Sequence, residues 1–130
     1  MVAKKSILVV EDHESLRMLL SAMLAKDYQV VAKRDGLEAL AWLGSGHLPD
    51  LIILDMEMPR VDGQEFLANL RSSGFFQSLP VIILSGSHSN DLEQCQALGI
   101  QGVLRKPFNP VDLRKTILQV FEASATQTAA

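Results

Sequence analysis

Cysteine is all but missing from this sequence. A lone Cys95 excludes an internal disulfide, and the chain does not cluster the ligands that a zinc site needs. Long hydrophobic runs are also missing. The apolar stretches reach four or five residues, far short of the ~20 that cross a bilayer. Excess positive charge is absent: 12 basic against 15 acidic residues give a net charge of −3 and a pI near 5.5, which argues against the basic footprint of a nucleic-acid binder. The basic start, Met1 to Ser6, runs straight into a strand-like segment rather than a signal-peptide core. There is no internal repeat. These absences lead to the expectation of a cytoplasmic, reduced protein that binds neither nucleic acid nor membrane directly.

What is present is one domain's worth of core. The chain has 130 residues, 48% of them apolar, a size that folds without covalent staples. Short branched-apolar runs alternate with helically spaced segments. Ile7-Leu8-Val9-Val10, Leu51-Ile52-Ile53-Leu54 and Pro80 to Leu84 read as buried strands, with Gln29 to Ala32 and Gly102 to Arg105 as weaker ones. Between them Leu16, Leu19, Leu20, Met23 and Leu24 repeat at helical spacing, and so do Leu37, Leu40 and Leu43, then Phe66, Leu67 and Leu70. A shorter helix is predicted over 90–98, and Asn109-Pro110 opens a last one carrying Leu113, Ile117, Val120 and Phe121. Five strand–helix repeats with continuously apolar strands predict an α/β fold: a doubly wound, five-stranded parallel sheet in a three-layer sandwich, flavodoxin-like, with strand order 2-1-3-4-5.

In such a sheet ligands bind at the carboxyl ends of the strands. Glu11 and Asp12 end the first strand, Asp55 the third and Ser85 the fourth, while Lys106 follows the fifth. Singly, each has an ordinary explanation: Asp12 a helix cap, Asp55 a turn cap, Ser85 a loop hydroxyl, Lys106 a solvated cation. Jointly they place three acids, a hydroxyl and an ammonium on one edge. Clustered carboxylates need a cation, and an all-oxygen set suits Mg²⁺. With their charge screened, Asp55 could attack phosphorus, while Lys106 and Ser85 hold the phosphoryl oxygens.

Arranged in this order and spacing, the segments Leu8-Val9-Val10-Glu11-Asp12, Asp35-Gly36-Leu37-Glu38-Ala39-Leu40, Leu51 to Pro59 with Asp62-Gly63, Val81 to Gly86, and Leu104-Arg105-Lys106-Pro107-Phe108 resemble the receiver domain of two-component response regulators, of the stand-alone type found in chemotaxis. The match runs from about Ser6 to Glu122, giving a receiver domain over 1–123 and a flexible tail over 124–130. The resemblance implies that Asp55 is the phosphoacceptor, and that Asp12, Asp55 and the backbone carbonyl of Glu57 hold Mg²⁺ with help from Glu11. It also implies that Lys106 and Ser85 engage the phosphoryl group, with a cis peptide at Lys106-Pro107. The donor would be a sensor histidine kinase or a histidine phosphotransfer protein, and the output a protein effector. The domain would be a phosphoacceptor switch rather than a turnover enzyme. Val103 stands where many relatives carry an aromatic ring, which removes the ring a rotation switch would use.

Three other readings compete. A haloacid-dehalogenase-like phosphatase also uses an aspartate, Mg²⁺, a hydroxyl and a lysine, but its late acid pair should follow the lysine, whereas Glu11-Asp12 precedes everything. A flavin or nucleotide module would want a glycine-rich phosphate loop where Glu11-Asp12-His13-Glu14 would repel an anion. A pseudo-receiver would act without phosphate, although Glu11, Asp12, Asp55, Ser85 and Lys106 are all retained.

Overall fold

The computed structural model describes residues 4–58, 62–86 and 92–129; the side chains of 92–94 and 124–129 are outside the description. Strands and helices alternate: β1 (Ser6–Val10), α1 (Glu14–Leu24), β2 (Gln29–Lys33), α2 (Gly36–Gly44), β3 (Leu51–Asp55), α3 (Gly63–Ser72), β4 (Val81–Ser85), α4 (Leu92–Ala97), β5 (Gly102–Arg105) and α5 (Pro110–Ala129). All pairings are parallel, in the order β2-β1-β3-β4-β5. This is the flavodoxin-like arrangement that the strand pattern predicts.

Each central strand is apolar along its whole length because both of its faces are covered. One set of alternate residues (Leu8, Val10, Ile52, Leu54, Val81, Ile83) packs against Ala39 and Leu43 of α2, Phe66, Leu67 and Leu70 of α3 and Cys95 of α4. The other set (Ile7, Val9, Leu51, Ile53, Ile82, Leu84) meets Leu20 and Leu24 of α1 and Leu113, Ile117 and Val120 of α5. Two cores sandwich one sheet, and each such side chain contributes about 1.5–3 kcal/mol by leaving water. The edge strands β2 and β5 are only partly covered.

Helix starts are fixed locally. Asp35 Oδ1 accepts the Glu38 N–H and Asp62 Oδ1 accepts the Glu65 N–H, each at 2.9 Å, so an Asp-x-x-Glu pattern opens both α2 and α3. Several sequence expectations shift. Pro80 precedes β4 rather than opening it; its carbonyl accepts the Ile52 N–H at 3.0 Å while its missing donor goes unneeded. Residues 90 and 91 of the short fourth helix lie outside the described residues. The backbone of 124–129 continues α5 instead of leaving it near residue 123. Among the described residues no helix is long and apolar enough to cross a membrane.

Candidate metal centre

Register determines which loops meet. Val10 pairs with Leu54 and Leu84 with Asp55, so Glu11 emerges next to Asp55. Ser85 pairs with Arg105, which brings Lys106 to the same edge. Backbone bonds carry the alignment past the strands: Glu11 N–H donates to the Lys33 carbonyl (3.0 Å), Met56 N–H to Leu84 (3.0 Å) and Lys106 N–H to Ser85 (2.8 Å).

The side chains converge as the register dictates. Lys106 Nζ donates to Asp55 Oδ1 at 3.0 Å and lies 3.3 Å from Glu11 Oε1, an ion-pair distance without hydrogen-bond alignment. Glu11 and Asp55 are completely buried, while the lysine side chain stays 23% exposed. Glu57 N–H also donates to Asp55 Oδ1 at 3.1 Å, and His13 N–H to Glu11 Oε2 at 3.2 Å. Three buried oxygens are left without a hydrogen-bond donor: Glu11 Oε1, Asp12 Oδ1 and Asp55 Oδ2. Orphaned buried acceptors are rare in folded proteins. Here all three are carboxylate oxygens gathered at one place, so the donor set fits a hard divalent cation such as Mg²⁺.

Electrostatics carries the same signature. Burial first, then the facing Asp55 carboxyl, raise Glu11 from 4.5 to about 7, against the opposing pull of the His13 N–H and Lys106. Burial would also raise Asp12, but contacts with Glu11 and Asp55 and the neighbouring His13 hold it below the ordinary aspartate range. Burial would lower the Lys106 ammonium, yet Asp55 and Glu11 outweigh it and raise it.

Several single-residue readings resolve here. Asp12 does not cap α1: His13 occupies the cap position, and no side-chain cap bond forms. The Asp55 turn contact with Glu57 does form, on the oxygen that the lysine shares. Ser85 is 2% exposed and its hydroxyl donates to the Gly86 carbonyl (3.1 Å). The exposed Glu57 carboxylate lies over Gly86, in the space a side chain there would fill. Val103 is half-buried against the α2–α3–α4 core, and the Lys106–Pro107 peptide is cis. Met56 and Met58 are packing residues, buried in that same core.

Two residues escaped sequence reasoning. Arg17 Nη1 donates to the carbonyls of Glu11 (3.0 Å) and Asp12 (3.3 Å), bracing the acid loop from the first turns of α1. Five and six residues separate these partners, a spacing that matches no simple helical pair. His13 joins Glu11, Asp12 and Asp55 in a group whose potential ligand atoms all lie within 4.8 Å of one another. The three acids are those the sequence places at one edge; the imidazole is the addition, supplied by the residue directly after Asp12.

Comparison with known proteins agrees with this geometry. The family model "Response regulator receiver domain" matches residues 7–118. The chain is 37% identical over 115 residues to Response regulator Rre1 of Synechocystis sp., covering 86% of this chain and 49% of that protein; it thus spans about half of that relative's length. It superposes on Vibrio cholerae chemotaxis protein CheY4 with a TM-score of 0.82 at 36% identity, covering 91% of this chain and 99% of the other. A second similar structure is the receiver domain of sensor histidine kinase PA1611 from Pseudomonas aeruginosa, solved with a magnesium ion coordinated in its active-site cleft (TM-score 0.81, 28% identity, 91% and 98% coverage). Sheet order, convergent acids and family match lead to one assignment: the chain belongs to the response regulator receiver domain family.

Proposed function

We propose that this domain is a phosphoacceptor switch in which Asp55 takes a phosphoryl group from a sensor histidine kinase or a histidine phosphotransfer protein. One observation carries the reading. The Lys106 ammonium sits 3.0 Å from one Asp55 oxygen while the other Asp55 oxygen is buried without a donor beside Glu11 and Asp12. The relative that is a receiver of a histidine kinase, with magnesium in its cleft, supports both the donor class and the ion.

Glu11, Asp12, Asp55 and the Glu57 backbone carbonyl would hold Mg²⁺, which when bound neutralises charge on the carboxylates and on the incoming phosphoryl oxygens. An Asp55 oxygen forms the new P–O bond as the donor's P–N bond breaks and its electron pair returns to the imidazole. Lys106 takes up phosphoryl charge, and Ser85 turns from its Gly86 contact to donate to a phosphoryl oxygen. The product adds roughly one negative charge at the sheet edge, pulling Ser85 and Lys106 together and shifting the α4–β5–α5 face. That face includes Gln101, Arg105 and Arg114, which are exposed; His88 and Asp91, and the side chain of Gln94, lie outside the described residues. Val103 has no ring to turn, so the shift passes through backbone and packing. The output is altered affinity for a protein effector in the cytoplasm, with stoichiometric phosphorylation rather than catalytic turnover and no direct contact with nucleic acid or membrane.

Intact mass after incubation with acetyl phosphate and Mg²⁺ tests the reading, with Asp55→Asn alongside. A phosphate-sized gain in the parent that the variant lacks is expected. Equal gain in both reassigns the acceptor; sustained turnover of phosphate esters replaces the switch with a phosphatase.

A further inference from the structure

We propose that His13 converts the acid cluster into a mixed nitrogen–oxygen site that takes a divalent first-row transition ion of the Co²⁺, Ni²⁺ and Zn²⁺ class in competition with Mg²⁺. The inference rests on the acid-site reading above and adds a ligand to it. His13 directly follows the two acids, and its Nδ1 lies 3.6 Å from Glu11 Oε2 and 3.5 Å from Asp12 Oδ1. Metal–nitrogen and metal–oxygen bonds of about 2.0–2.2 Å place neighbouring ligand atoms roughly 3.3–3.6 Å apart in a tetrahedral shell. Those two separations therefore suit one shared ion, and the 4.8 Å span of the whole group accommodates a ligand atom from Asp55 as well.

A second observation points into the same space. Asp55 Oδ2, on a fully buried side chain, and Asp12 Oδ1 both lack a hydrogen-bond donor. Lys106 occupies the other Asp55 oxygen, so the orphaned one is free to ligate without displacing the ammonium. The imidazole contacts only the two acids, at ion-pair distances that the neutral ring gives up to an ion. At the α1 cap position its side chain makes no capping bond, while its backbone N–H fixes the loop on Glu11 Oε2. The ring is 73% exposed and can reach an ion without repacking any core residue.

Ligand chemistry decides which ion gains. Mg²⁺ prefers oxygen and retained water and draws little from an imidazole. Later first-row ions bind imidazole nitrogen strongly and follow the Irving–Williams order. An all-oxygen set suits hard ions such as Mg²⁺; one nitrogen tilts it toward the transition series.

The test titrates Co²⁺ and Mg²⁺ into the full chain by calorimetry, with the visible Co²⁺ spectrum as a direct report of nitrogen ligation. His13→Ala removes the ring, and His13→Asn keeps a good helix cap without an imidazole, so a folded variant is available. The Co²⁺-to-Mg²⁺ affinity ratio is expected to fall at least about tenfold in both variants, with a changed Co²⁺ spectrum. A ratio within twofold of the parent, with the spectrum unchanged, overturns the role of His13. If instead the parent binds no Mg²⁺, or binds it as well after Asp12→Asn, the acid-site reading itself fails, a result the His13 variants do not mimic.

Discussion

Glu11→Gln offers the most informative perturbation of the centre. The folded domain raises this carboxyl from 4.5 to about 7, chiefly by burial and by the facing Asp55. A raised carboxyl means that the folded state holds its proton where the unfolded chain has already lost it. Stability from this group is therefore full below about pH 4.5 and declines by about 1.4 kcal/mol per pH unit until about pH 7, where it levels off. The total is on the order of 3 kcal/mol. Glutamine keeps the size and neutrality of the protonated acid and does not titrate. The attraction of Lys106 is already part of that raised value, so about 3 kcal/mol favours the variant at pH 8. For a domain of this size that is a melting difference of roughly 9–15 °C. Thermal melts in EDTA from pH 5 to pH 8 are expected to converge at the acid end and separate at the alkaline end, with Glu11→Gln the more stable. Asp12 and Lys106, which Glu11 itself shifts, are lowered and raised away from the pH 5–8 range, and groups away from the cluster are common to both chains and cancel. Parallel curves, or a parent that stays more stable at pH 8, refute the claim that Glu11 is the strained member of the cluster.

Further expectations concern the ion, the lysine and the glycines. Mg²⁺ at about a hundredfold over its dissociation constant stabilises by about 2.7 kcal/mol, and because it must displace the Glu11 proton, the rise in melting temperature is larger at pH 8 than at pH 5.5. Lys106→Met leaves the buried Asp55 and Glu11 without the ammonium and lowers stability in EDTA by about 3 kcal/mol or more, a loss that Mg²⁺ partly restores in the same melts. Gly63→Ala drives a Cβ to 2.8 Å from Met56 Cα and 2.9 Å from the Asp55 carbonyl oxygen; since backbone cannot swing aside, about 1–3 kcal/mol is lost and acetyl phosphate labelling slows. Gly86→Ala meets only the mobile end of the exposed Glu57 side chain and melts with the parent. Comparable destabilisation by both glycine substitutions, measured by denaturant titration, would contradict this distinction.

The parts of this molecule legible in its sequence are those governed by repeating geometry. Leu51 to Leu54 and Val81 to Leu84 could be read as central strands because a parallel strand covered on both faces has no polar positions. Right-handed crossovers then favoured a doubly wound sheet with helices on both faces, and the order of its strands went with the resemblance to receiver domains. Glu11, Asp55 and Lys106 could be placed at one edge because each lies just past the end of a strand, and register alone brings strand ends together. Ser85 was legible for the same reason. What escaped was contact made by side chains that leave their own element. Arg17 turns back over the acid loop to reach two carbonyls, and Arg71 at the end of α3 donates to the Leu98 and Gly99 carbonyls after α4. No periodicity encodes such bonds, since carbonyls carry no residue identity.

The contrast between Asp35 and Asp12 shows where local rules stop. Both aspartates stand close before a helix, and local capping preference alone treats them alike. Asp35 caps α2, with its Oδ1 on the Glu38 N–H. Asp12 does not cap α1, leaving that position to a histidine whose side chain caps nothing. A capping bond contributes about 1 kcal/mol, so forgoing it, and burying an unpaired carboxylate oxygen as well, runs against local stability. Such conflicts between a local rule and the observed structure concentrate at functional sites. The same holds for Glu11, a carboxyl buried with Asp55 although no helix or strand requires an acid there. The departures share one location, the edge where β1 and β3 end, and each would be relieved by the same remedy, a cation bound among the oxygens. The instability of the bare cluster is thus the physical reason to expect an ion there, and binding is expected to register first as stability, before any phosphoryl group arrives.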